Sequence, residues 1–294
     1  MASLKIGPQQ FEWGTRTFVM GILNITPDSF SGDGLLSSEG SLGARAAAQA
    51  RQFLAAGAEI LDVGGESTRP GAQTVSVEDE LERVLPAIRA IAAEFPEAVI
   101  SIDTYKAAVA DAALEAGAHL VNDVWGLRAD PALAEVVARH NVPVVLMHNR
   151  SKAANARVQE NLGGRYVSME YNDLIAEVKA ELMEIVQGAH SVGIPDEHIL
   201  LDPGIGFGKT VEQNLELLNR LDEIRALGFP VLLGPSRKSF IGYTLNLPPD
   251  QRTEGTAAAV AIGIARGADI VRVHDVESMA RVAKMTDAIV RSKR

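Results

Sequence analysis

Polar and charged side chains stand at or near the ends of short apolar runs along the chain. Carboxylate and amide groups suit the N–H donors of a flat heterocycle, whereas basic side chains suit an anion such as phosphate or pyrophosphate. We therefore predict a substrate with an N–H-rich ring at one end and phosphate at the other. In chain order, the groups at the run ends are Asn24, Asp62, Asp103, Asn122, His148, Asp202, Ser236-Arg237-Lys238, Arg272 and His274.

Several of these residues also have a plainer interpretation. Asp62 and Asp103 could cap the helices that follow them, and a lone histidine such as His148 is more often a buried core residue than a ligand. Asp202 is followed by Pro203-Gly204 rather than by a helix, so capping explains it poorly. Three aspartates brought to one place repel one another unless a ligand, a cation or a basic residue compensates. The combined pattern therefore favours a functional site.

Known phosphate-binding loops do not account for the glycine-rich segment Leu201–Thr210. Its glycines at 204, 206 and 208 lack the spacing of both the Walker A loop and the dinucleotide-binding loop. A glycine-rich segment after a strand still allows backbone to approach a ligand closely. The sequence has no His-Glu-x-x-His pattern and no dense cluster of metal ligands. The amide oxygen of Asn24 could instead hold a partly hydrated Mg²⁺ that arrives with the phosphates.

Composition excludes several classes of protein. The chain has 294 residues, with 28 Lys and Arg against 38 Asp and Glu, and its formal charge of −10 is unlike that of a nucleic-acid-binding protein. It has no cysteine, which excludes disulfides, thiolate zinc sites and cysteine nucleophiles. No apolar stretch approaches the length of a membrane span, and the N-terminus lacks the apolar segment of a signal peptide. We expect a cytoplasmic protein whose ligands are small molecules.

Short apolar runs alternate with helical patterns eight times along the chain. The runs are nearly continuous in apolar residues, as expected for parallel strands covered on both faces. They predict an α/β fold, a (β/α)8 TIM barrel in a single domain, with an open doubly wound sheet as the alternative. The active site of such a barrel lies at the carboxyl ends of its strands. The predicted strands are Phe18–Asn24, Ile60–Val63, Val99–Asp103, Leu120–Asn122, Val144–His148, Ile199–Asp202, Val231–Gly234 and Ile270–Val273.

The segments around the predicted strands complete this picture. The barrel should span residues 18–294, after an extension at 1–17 in which Phe11–Thr17 form a small hairpin under the barrel floor. Two connections at the mouth, Ile25–Gly40 and Gly64–Val77, are long enough to act as lids, whereas Asn149–Ser168 has the character of a plain surface excursion. The predicted helices are Ser41–Ala56, Glu78–Ala93, Tyr105–Ala116, Pro131–His140, Met169–Ser191, Glu212–Leu227, Thr253–Arg266 and Val276–Val290.

Seven motifs give the chain a resemblance to a known family. From about Phe18 to Val276, in the family's own order, the sequence resembles dihydropteroate synthase, whose fold is the pterin-binding barrel. The resemblance is specific because the motifs are independent of one another. They are Gly21-Ile-Leu-Asn-Ile-Thr-Pro-Asp-Ser-Phe-Ser31, Asp62-Val-Gly-Gly-Glu-Ser-Thr-Arg-Pro-Gly71, Ser101-Ile-Asp-Thr104, Asn122-Asp123, Leu201-Asp-Pro-Gly-Ile-Gly-Phe-Gly-Lys209, Gly234-Pro-Ser-Arg-Lys-Ser239 and Arg272-Val-His274.

The resemblance implies a reaction and a role for individual residues. The reaction is the condensation of 6-hydroxymethyl-7,8-dihydropterin diphosphate with 4-aminobenzoate, which gives dihydropteroate and pyrophosphate in folate synthesis. It also implies Mg²⁺ at Asn24 and a homodimer formed through the later helices. The implied pterin-binding residues are Asp62, Asp103, Asn122, Met147, Asp202 and Lys238; the pyrophosphate-binding residues are Asn24, Arg69, Arg272 and His274; the aminobenzoate-binding residues are Thr68, Pro70, Phe207, Lys238 and Ser239; and the catalytic residues are Asp103, Lys238, Arg272 and His274.

Two other functions compete with this one. A methyltransferase that moves a methyl group from methyltetrahydrofolate to a corrinoid would share the strand-end Asp and Asn groups. It would not need the Thr68-Arg69-Pro70 loop or the Ser236–Ser239 segment, which suit a diphosphate and an aminobenzoate. A non-catalytic pterin-binding relative would be free to lose its phosphate ligands, yet every basic position is filled here. We therefore expect a transferase.

Overall fold

Eight parallel strands form one sheet that closes into a barrel in the computed structural model. The structure describes residues 3–25, 41–68, 74–159, 161–167 and 169–291. Around the sheet the strands lie in the order Ile199–Asp202, Val144–Met147, Leu120–Asp123, Val99–Asp103, Ile60–Gly64, Phe18–Asn24, Ile270–Val273 and Leu232–Leu233. Leu201 and Val231 form a parallel bridge that joins the two end strands, so the barrel closes. The strands are β3 (Phe18–Asn24), β4 (Ile60–Gly64), β5 (Val99–Asp103), β6 (Leu120–Asp123), β7 (Val144–Met147), β10 (Ile199–Asp202), β11 (Leu232–Leu233) and β12 (Ile270–Val273).

Helices pack around this barrel, and the predicted fold class is confirmed. Three details differ from the expected helices. The helix predicted at Met169–Ser191 begins only at Leu174, after Asp173 as its N-cap. The predicted Glu212–Leu227 helix is two helices, because the backbone at Arg220 leaves the helical conformation, with φ −111° and ψ 25°. A short helix over Ser239–Leu245 was not expected. The helices are α1 (Leu42–Ala55), α2 (Val77–Glu94), α3 (Ala107–Glu115), α4 (Ala132–His140), α5 (Leu174–Ser191), α6 (Val211–Asn219), α7 (Leu221–Arg225), α8 (Ser239–Leu245), α9 (Thr253–Ala265) and α10 (Val276–Val290).

A hairpin does close the barrel floor, but it lies earlier in the chain than Phe11–Thr17. Its antiparallel strands are β1 (Ser3–Ile6) and β2 (Gln9–Glu12). Residues of β1 alternate between exposed and buried, a pattern too short to stand out in the sequence. The apolar side chains of the hairpin and the floor ends of the barrel strands form one buried cluster. It contains Leu4, Ile6, Phe11, Trp13, Phe18, Met20, Ile60, Val99, Leu120, Val145, Leu200, Leu232 and Ile270.

The Asn149–Ser168 connection is not a plain excursion. It contains a second hairpin with strands β8 (Ala156–Gln159) and β9 (Gly163–Tyr166). The hydroxyl of Tyr243 in α8 donates to the Gly163 carbonyl at 3.2 Å. The buried guanidinium of Arg252 donates to the Leu162 carbonyl at 3.0 Å. The hairpin is therefore tied to the segments that follow β11 at the barrel mouth. Sequence patterns missed it because these tertiary contacts, rather than alternating apolar residues, hold it in place.

Candidate active site

The strand register places three of the predicted residues side by side at the carboxyl ends of the strands. Gly64 at the end of β4 lies opposite Asp103, and Asp103 lies opposite Asn122 on β6. Asp62 lies two residues before Gly64, on the same face of β4. The carboxyl end of a parallel barrel is the face on which active sites are built. The predicted pterin-binding groups therefore share one surface.

The guanidinium of Arg272 joins two of these carboxylates. Its Nε donates to Asp62 Oδ2 at 2.5 Å, and its Nη2 donates to Asp103 Oδ2 at 2.6 Å. The side-chain amide of Asn122 also donates to Asp62 Oδ2, at 3.1 Å. Asp62 is fully buried, and its Oδ1 has no hydrogen-bond partner among the described residues. A buried acceptor without a donor carries a desolvation cost, so this oxygen is available for an N–H of a ligand.

Burial dominates the titration of Asp103. Removal from water raises the pKa of its carboxyl to about 7, and the neighbouring Arg272 charge opposes that rise. The nearby Asp62 acts in the same direction as burial. A carboxyl with a pKa this close to neutrality is typical of functional sites. Asp103 can therefore change its charge within the physiological pH range.

Asp202 is the last residue of β10 and lies across the mouth. Its Oδ1 accepts a hydrogen bond from the Gly204 amide at 2.7 Å, so it caps the glycine turn and not a helix. Burial raises the pKa of its carboxyl, and the Lys238 charge opposes the shift. Met147, at the end of β7, is paired with Asp202 in the register and is nearly fully buried. Asp202 and Met147 thus form one wall of the mouth.

Three glycines with positive φ shape the segment after Asp202. A Cβ atom at Gly204 would lie 1.8 Å from the His148 carbonyl oxygen, and one at Gly208 would lie 2.4 Å from the Arg150 carbonyl carbon. At Gly206 a Cβ atom would lie 2.7 Å from Cδ of Lys238. The atoms that lie this close to the three glycines therefore belong to the protein's own backbone and to the Lys238 side chain. We call residues 203–208 the glycine loop.

The side chain of Lys238 lies against the ring of Phe207, which belongs to this loop. The Lys238 ammonium lies 4.1 Å from the centre of the Phe207 ring and donates a hydrogen bond to the Ile205 carbonyl. Burial lowers the pKa of Lys238 to about 8, although the Asp202 charge opposes the shift. Ser239 is the next residue and begins α8. The site therefore has a flat aromatic face beside a cation, which suits an aromatic carboxylate.

His274 and the Ser236–Lys238 segment are connected by hydrogen bonds. The Ser236 hydroxyl accepts from the His274 backbone amide at 3.1 Å and lies 3.0 Å from Nδ1 of its ring. Arg237, whose φ of +55° is unusual for a non-glycine residue, binds both carboxylate oxygens of Asp275. These contacts fix the β11 and β12 ends of the mouth relative to each other. Sequence reasoning did not assign Asp275, although it follows the Arg272-Val-His274 motif directly.

The remaining predicted residues lie on the other side of the mouth. Asn24 ends β3 and is partly exposed, and Thr68 lies four residues beyond β4. Hydrogen bonds between described residues join neither Asn24 nor Ser239 to the carboxylate cluster. Arg69 and Pro70 lie outside the described residues, as does nearly all of the Ile25–Gly40 connection. The described residues contain no group of three or more His, Asp or Glu side chains that could hold a metal ion.

A buried ion-pair cluster at the base of the Gly64–Val77 connection was missed by sequence reasoning. The ammonium of Lys106 lies between the carboxylates of Glu66 and Glu80. The Tyr105 hydroxyl donates to Glu66 at 3.1 Å, and Arg83 donates to the Gly65 carbonyl at 2.8 Å. These contacts hold the residues just before Thr68. The sequence feature that could have indicated this cluster is the position of Glu66 inside the motif that begins at Asp62.

Comparisons with known proteins agree with this geometry. A family model described as pterin binding enzyme matches residues 20–274. The dihydropteroate synthase of Clostridium beijerinckii is 50% identical over 289 residues, which cover 98% of this chain and 100% of that protein. This chain belongs to the dihydropteroate synthase family. Family membership makes it a transferase of folate biosynthesis, and neither the corrinoid methyltransferase nor the non-catalytic alternative is favoured.

Solved structures of the family share the same barrel. A dihydropteroate synthase from Clostridium difficile, solved in the presence of pteroic acid, superposes with a TM-score of 0.85 at 46% identity, covering 96% of this chain and 100% of that chain. The Xanthomonas albilineans enzyme, solved with 4-aminobenzoic acid, gives a TM-score of 0.87 at 38% identity, covering 99% of both chains. Among the residues that the structure describes, no helix could cross a membrane.

Proposed function

We propose that this mouth condenses 6-hydroxymethyl-7,8-dihydropterin diphosphate with 4-aminobenzoate to give 7,8-dihydropteroate and pyrophosphate. The observation that carries the proposal is the division of the mouth into two parts. Buried carboxylates and an amide stand on one side, and the Lys238–Phe207 pair stands on the other. The first part matches a ring rich in N–H donors, and the second matches an aromatic carboxylate. The family structures with pteroic acid and with 4-aminobenzoic acid support the same pair of substrates.

In this proposal the pterin ring lies against the carboxylate side. Asp62 offers an oxygen that has no hydrogen-bond partner in the described part of the chain, and Asp202 and Asn122 present further polar atoms to the ring edge. Met147 gives an apolar contact to the flat ring face, and Lys238, which contacts the glycine loop, reaches the same space. Asp103 places its carboxylate close to the exocyclic methylene. In each of these assignments the role of the residue comes from the resemblance of the motifs, and its position comes from the structure.

The diphosphate would lie toward the β3 and β12 ends of the mouth, near Asn24, Arg69, Arg272 and His274. The chemistry of the donors decides how a Mg²⁺ ion would be held. Asn24 supplies one amide oxygen, and the described residues offer no acidic cluster that would enclose an ion. This arrangement fits an ion that keeps waters and binds mainly to the substrate phosphates. When bound, Mg²⁺ would neutralise charge on the leaving pyrophosphate, with Asn24 as its protein ligand.

Aminobenzoate would bind where Phe207, Lys238 and Ser239 meet, with Thr68 and Pro70 contributing from the connection after β4. The Lys238 ammonium beside the Phe207 ring provides both a charge for the carboxylate and a surface for the aromatic ring. Helix α8 begins at Ser239, the residue directly after Lys238. The arylamine nitrogen would then face the pterin methylene.

Charges of opposite sign at the two ends of the pterin substrate favour bond breaking before bond making. The C–O bond breaks, and its electron pair leaves with pyrophosphate. Arg272, His274 and the neighbouring basic groups stabilise the negative charge that develops there. The carboxylate of Asp103 stabilises the cation left on the ring and its methylene. The arylamine lone pair then forms the C–N bond, and the amine proton passes to solvent.

Release of pyrophosphate tests the function directly. With the pterin diphosphate and Mg²⁺ present, we expect steady release only when 4-aminobenzoate is added. With bridging-oxygen-labelled diphosphate and no aminobenzoate, label should scramble into non-bridging positions, because the C–O bond breaks reversibly. Binding of pteroic acid without any pyrophosphate release would identify a non-catalytic protein. Normal turnover without scrambling would replace the dissociative order by a direct displacement.

Pterin binding should depend on pH through Asp103. The folded protein holds this proton with a pKa of about 7, so the carboxylate that would accept an N–H of the pterin ring forms only as pH rises. We expect affinity for the pterin diphosphate to increase from about pH 6 to about pH 8. The unliganded protein should show the opposite trend, since a raised folded-state pKa stabilises at low pH and is lost as pH rises through about 7. Calorimetry should find a steeper increase of affinity with pH in the wild type than in Asp103→Asn. An identical slope in the variant would contradict the assignment.

We also propose a cytoplasmic homodimer formed through α9 and α10, as the resemblance implies. The two helices pack against each other. They carry exposed apolar side chains, with Ile262 48%, Met285 62% and Ile289 64% exposed. A second copy of the chain would cover this surface. Met285→Asp should halve the mass measured by light scattering, whereas Val158→Asp, an equally exposed apolar site on β8, should not. An unchanged dimer in Met285→Asp would place the interface elsewhere.

A further inference from the structure

Lys209, the last residue of the motif after β10, is almost completely buried, with 1% of its surface exposed. Its ammonium has three acceptors, which are Nδ1 of His148 at 2.9 Å and the carbonyls of Gly204 at 3.0 Å and Phe207 at 3.1 Å. All three acceptors are uncharged groups. Burial lowers the pKa of Lys209 to about 7, while the Asp202 charge opposes the shift. A lysine with this cost of burial needs an explanation beyond packing.

The bond to His148 fixes the histidine's tautomer. Nδ1 accepts from the lysine, so the ring proton resides on Nε2. That nitrogen lies 3.1 Å from Oε2 of Glu181 on α5. Burial lowers the pKa of His148 to about 4, so the ring is neutral at physiological pH. Glu181 is in turn bound by Arg150. Polar groups therefore lie in contact from Glu181 on α5 to the Lys209 ammonium, and the contact between Nε2 and Oε2 is a close approach without hydrogen-bond geometry.

The other two bonds of Lys209 act on the glycine loop. They hold the carbonyls of Gly204 and Phe207, and the Phe207 amide itself donates to the Gly204 carbonyl at 3.0 Å. Gly204 is also the residue whose amide binds Asp202. The loop thus carries the Phe207 ring at one end and the partner of the Asp202 carboxylate at the other. Lys209 is buried and contacts both ends through the carbonyls of Gly204 and Phe207.

We propose that Lys209 is a positioning residue that orients the Phe207 ring for aminobenzoate, and that the His148–Glu181 pair orients Lys209. The proposal rests on the proposed function of the site. Lys209 is too deeply buried to touch substrate, so it acts through the loop. Lys238, which is partly exposed, contacts the same loop through the Ile205 carbonyl. Two lysines therefore bind carbonyls of the loop, and the buried Lys209 is the one that substrate cannot displace.

Lys209→Met tests the proposal because methionine keeps nearly the same volume, is one atom shorter and donates no hydrogen bond. Two loop carbonyls and the His148 ring then lose their donor, and the Phe207 ring is no longer held in place. We expect KM for 4-aminobenzoate to rise by roughly tenfold or more, with a smaller change in kcat and in pterin KM. The dissociation constant for 4-aminobenzoate, measured by calorimetry in the presence of pyrophosphate and Mg²⁺, should rise by a similar factor.

Two variants of His148 test whether Lys209 needs the hydrogen-bond acceptor that the histidine ring provides. His148→Asn can place an amide oxygen near the position of Nδ1, so it keeps an acceptor for Lys209 and should retain a KM for aminobenzoate within about threefold of the wild type. His148→Leu removes that acceptor and should reproduce much of the Lys209→Met effect. A purely structural role of the histidine would make both variants lose stability without this difference in KM.

Asp269→Asn is the matched control for loss of stability. Asp269 is buried at the barrel floor, where it accepts from the Val231 amide at 2.9 Å and pairs with Arg225. This variant should lower the melting temperature but leave KM for aminobenzoate unchanged. If Lys209→Met lowers only the active fraction, with KM and the calorimetric dissociation constant unchanged, the positioning role is wrong. If the wild type itself releases no pyrophosphate, the proposed function fails instead.

Discussion

Replacing Arg272 with methionine is expected to lower kcat/KM by about 10²- to 10³-fold, the loss typical of removing one group that stabilises a developing anion. The structure adds a second effect. Arg272 binds Asp62 and Asp103, and its charge opposes the rise of the Asp103 pKa. Without it, the pKa of Asp103 should rise further above 7. Steady-state kinetics over a range of pH should therefore show activity recovering partly as pH increases.

Arg272→Lys separates charge from geometry. Lysine keeps the positive charge but lacks the planar group that binds two carboxylates at once. It should keep the Asp103 pKa closer to that of the wild type and still lose activity, because one ammonium cannot span both partners in the same way. Wild-type activity in the methionine variant would show that Arg272 is not part of the catalytic site.

Replacing Asp202 with asparagine is expected to weaken pterin binding by about 2–5 kcal/mol, the range for breaking a buried charge-assisted hydrogen bond. One side-chain oxygen already accepts from the Gly204 amide. Asparagine can keep that bond with its own oxygen, which turns its NH₂ group toward the ring and sets a donor against a donor. The variant also removes the negative charge that opposes the lowering of the Lys238 pKa. Calorimetric titration with the pterin diphosphate measures the loss.

Asp123→Asn is the control for this substitution. Asp123 is also a buried aspartate at a strand end, but it accepts from the backbone amides of Trp125 and Leu127. Successive side chains on a strand point to opposite faces, so Asp123 faces away from its neighbour Asn122. Its substitution should lower stability and leave pterin affinity nearly unchanged. Equal losses in the two variants would mean that Asp202 acts only through stability.

The sequence was sufficient for the barrel and for the side on which its polar residues gather. Strands covered on both faces must be apolar throughout, so each appears in the sequence as a continuous apolar run. A polar residue at the end of such a run therefore lies at the rim of the barrel. Local patterns were insufficient where tertiary contacts decide. The floor hairpin lies at Ser3–Glu12 instead of Phe11–Thr17, and Asn149–Ser168 contains a hairpin held by Arg252 and Tyr243.

The order of residues along the chain is enough to predict which residue types reach the mouth, but the pairs that bind each other there depend on the fold. Arg272 is 210 residues from Asp62 and 169 from Asp103, and no local pattern selects these partners among the acidic residues. Strand register brings them together. Likewise Lys209 is a visible part of its motif, but its burial beneath the glycine loop and its bond to His148 depend on packing between β7, β10 and α5. Hydrogen-bond partners are set by distances of a few ångströms, which only the folded chain fixes.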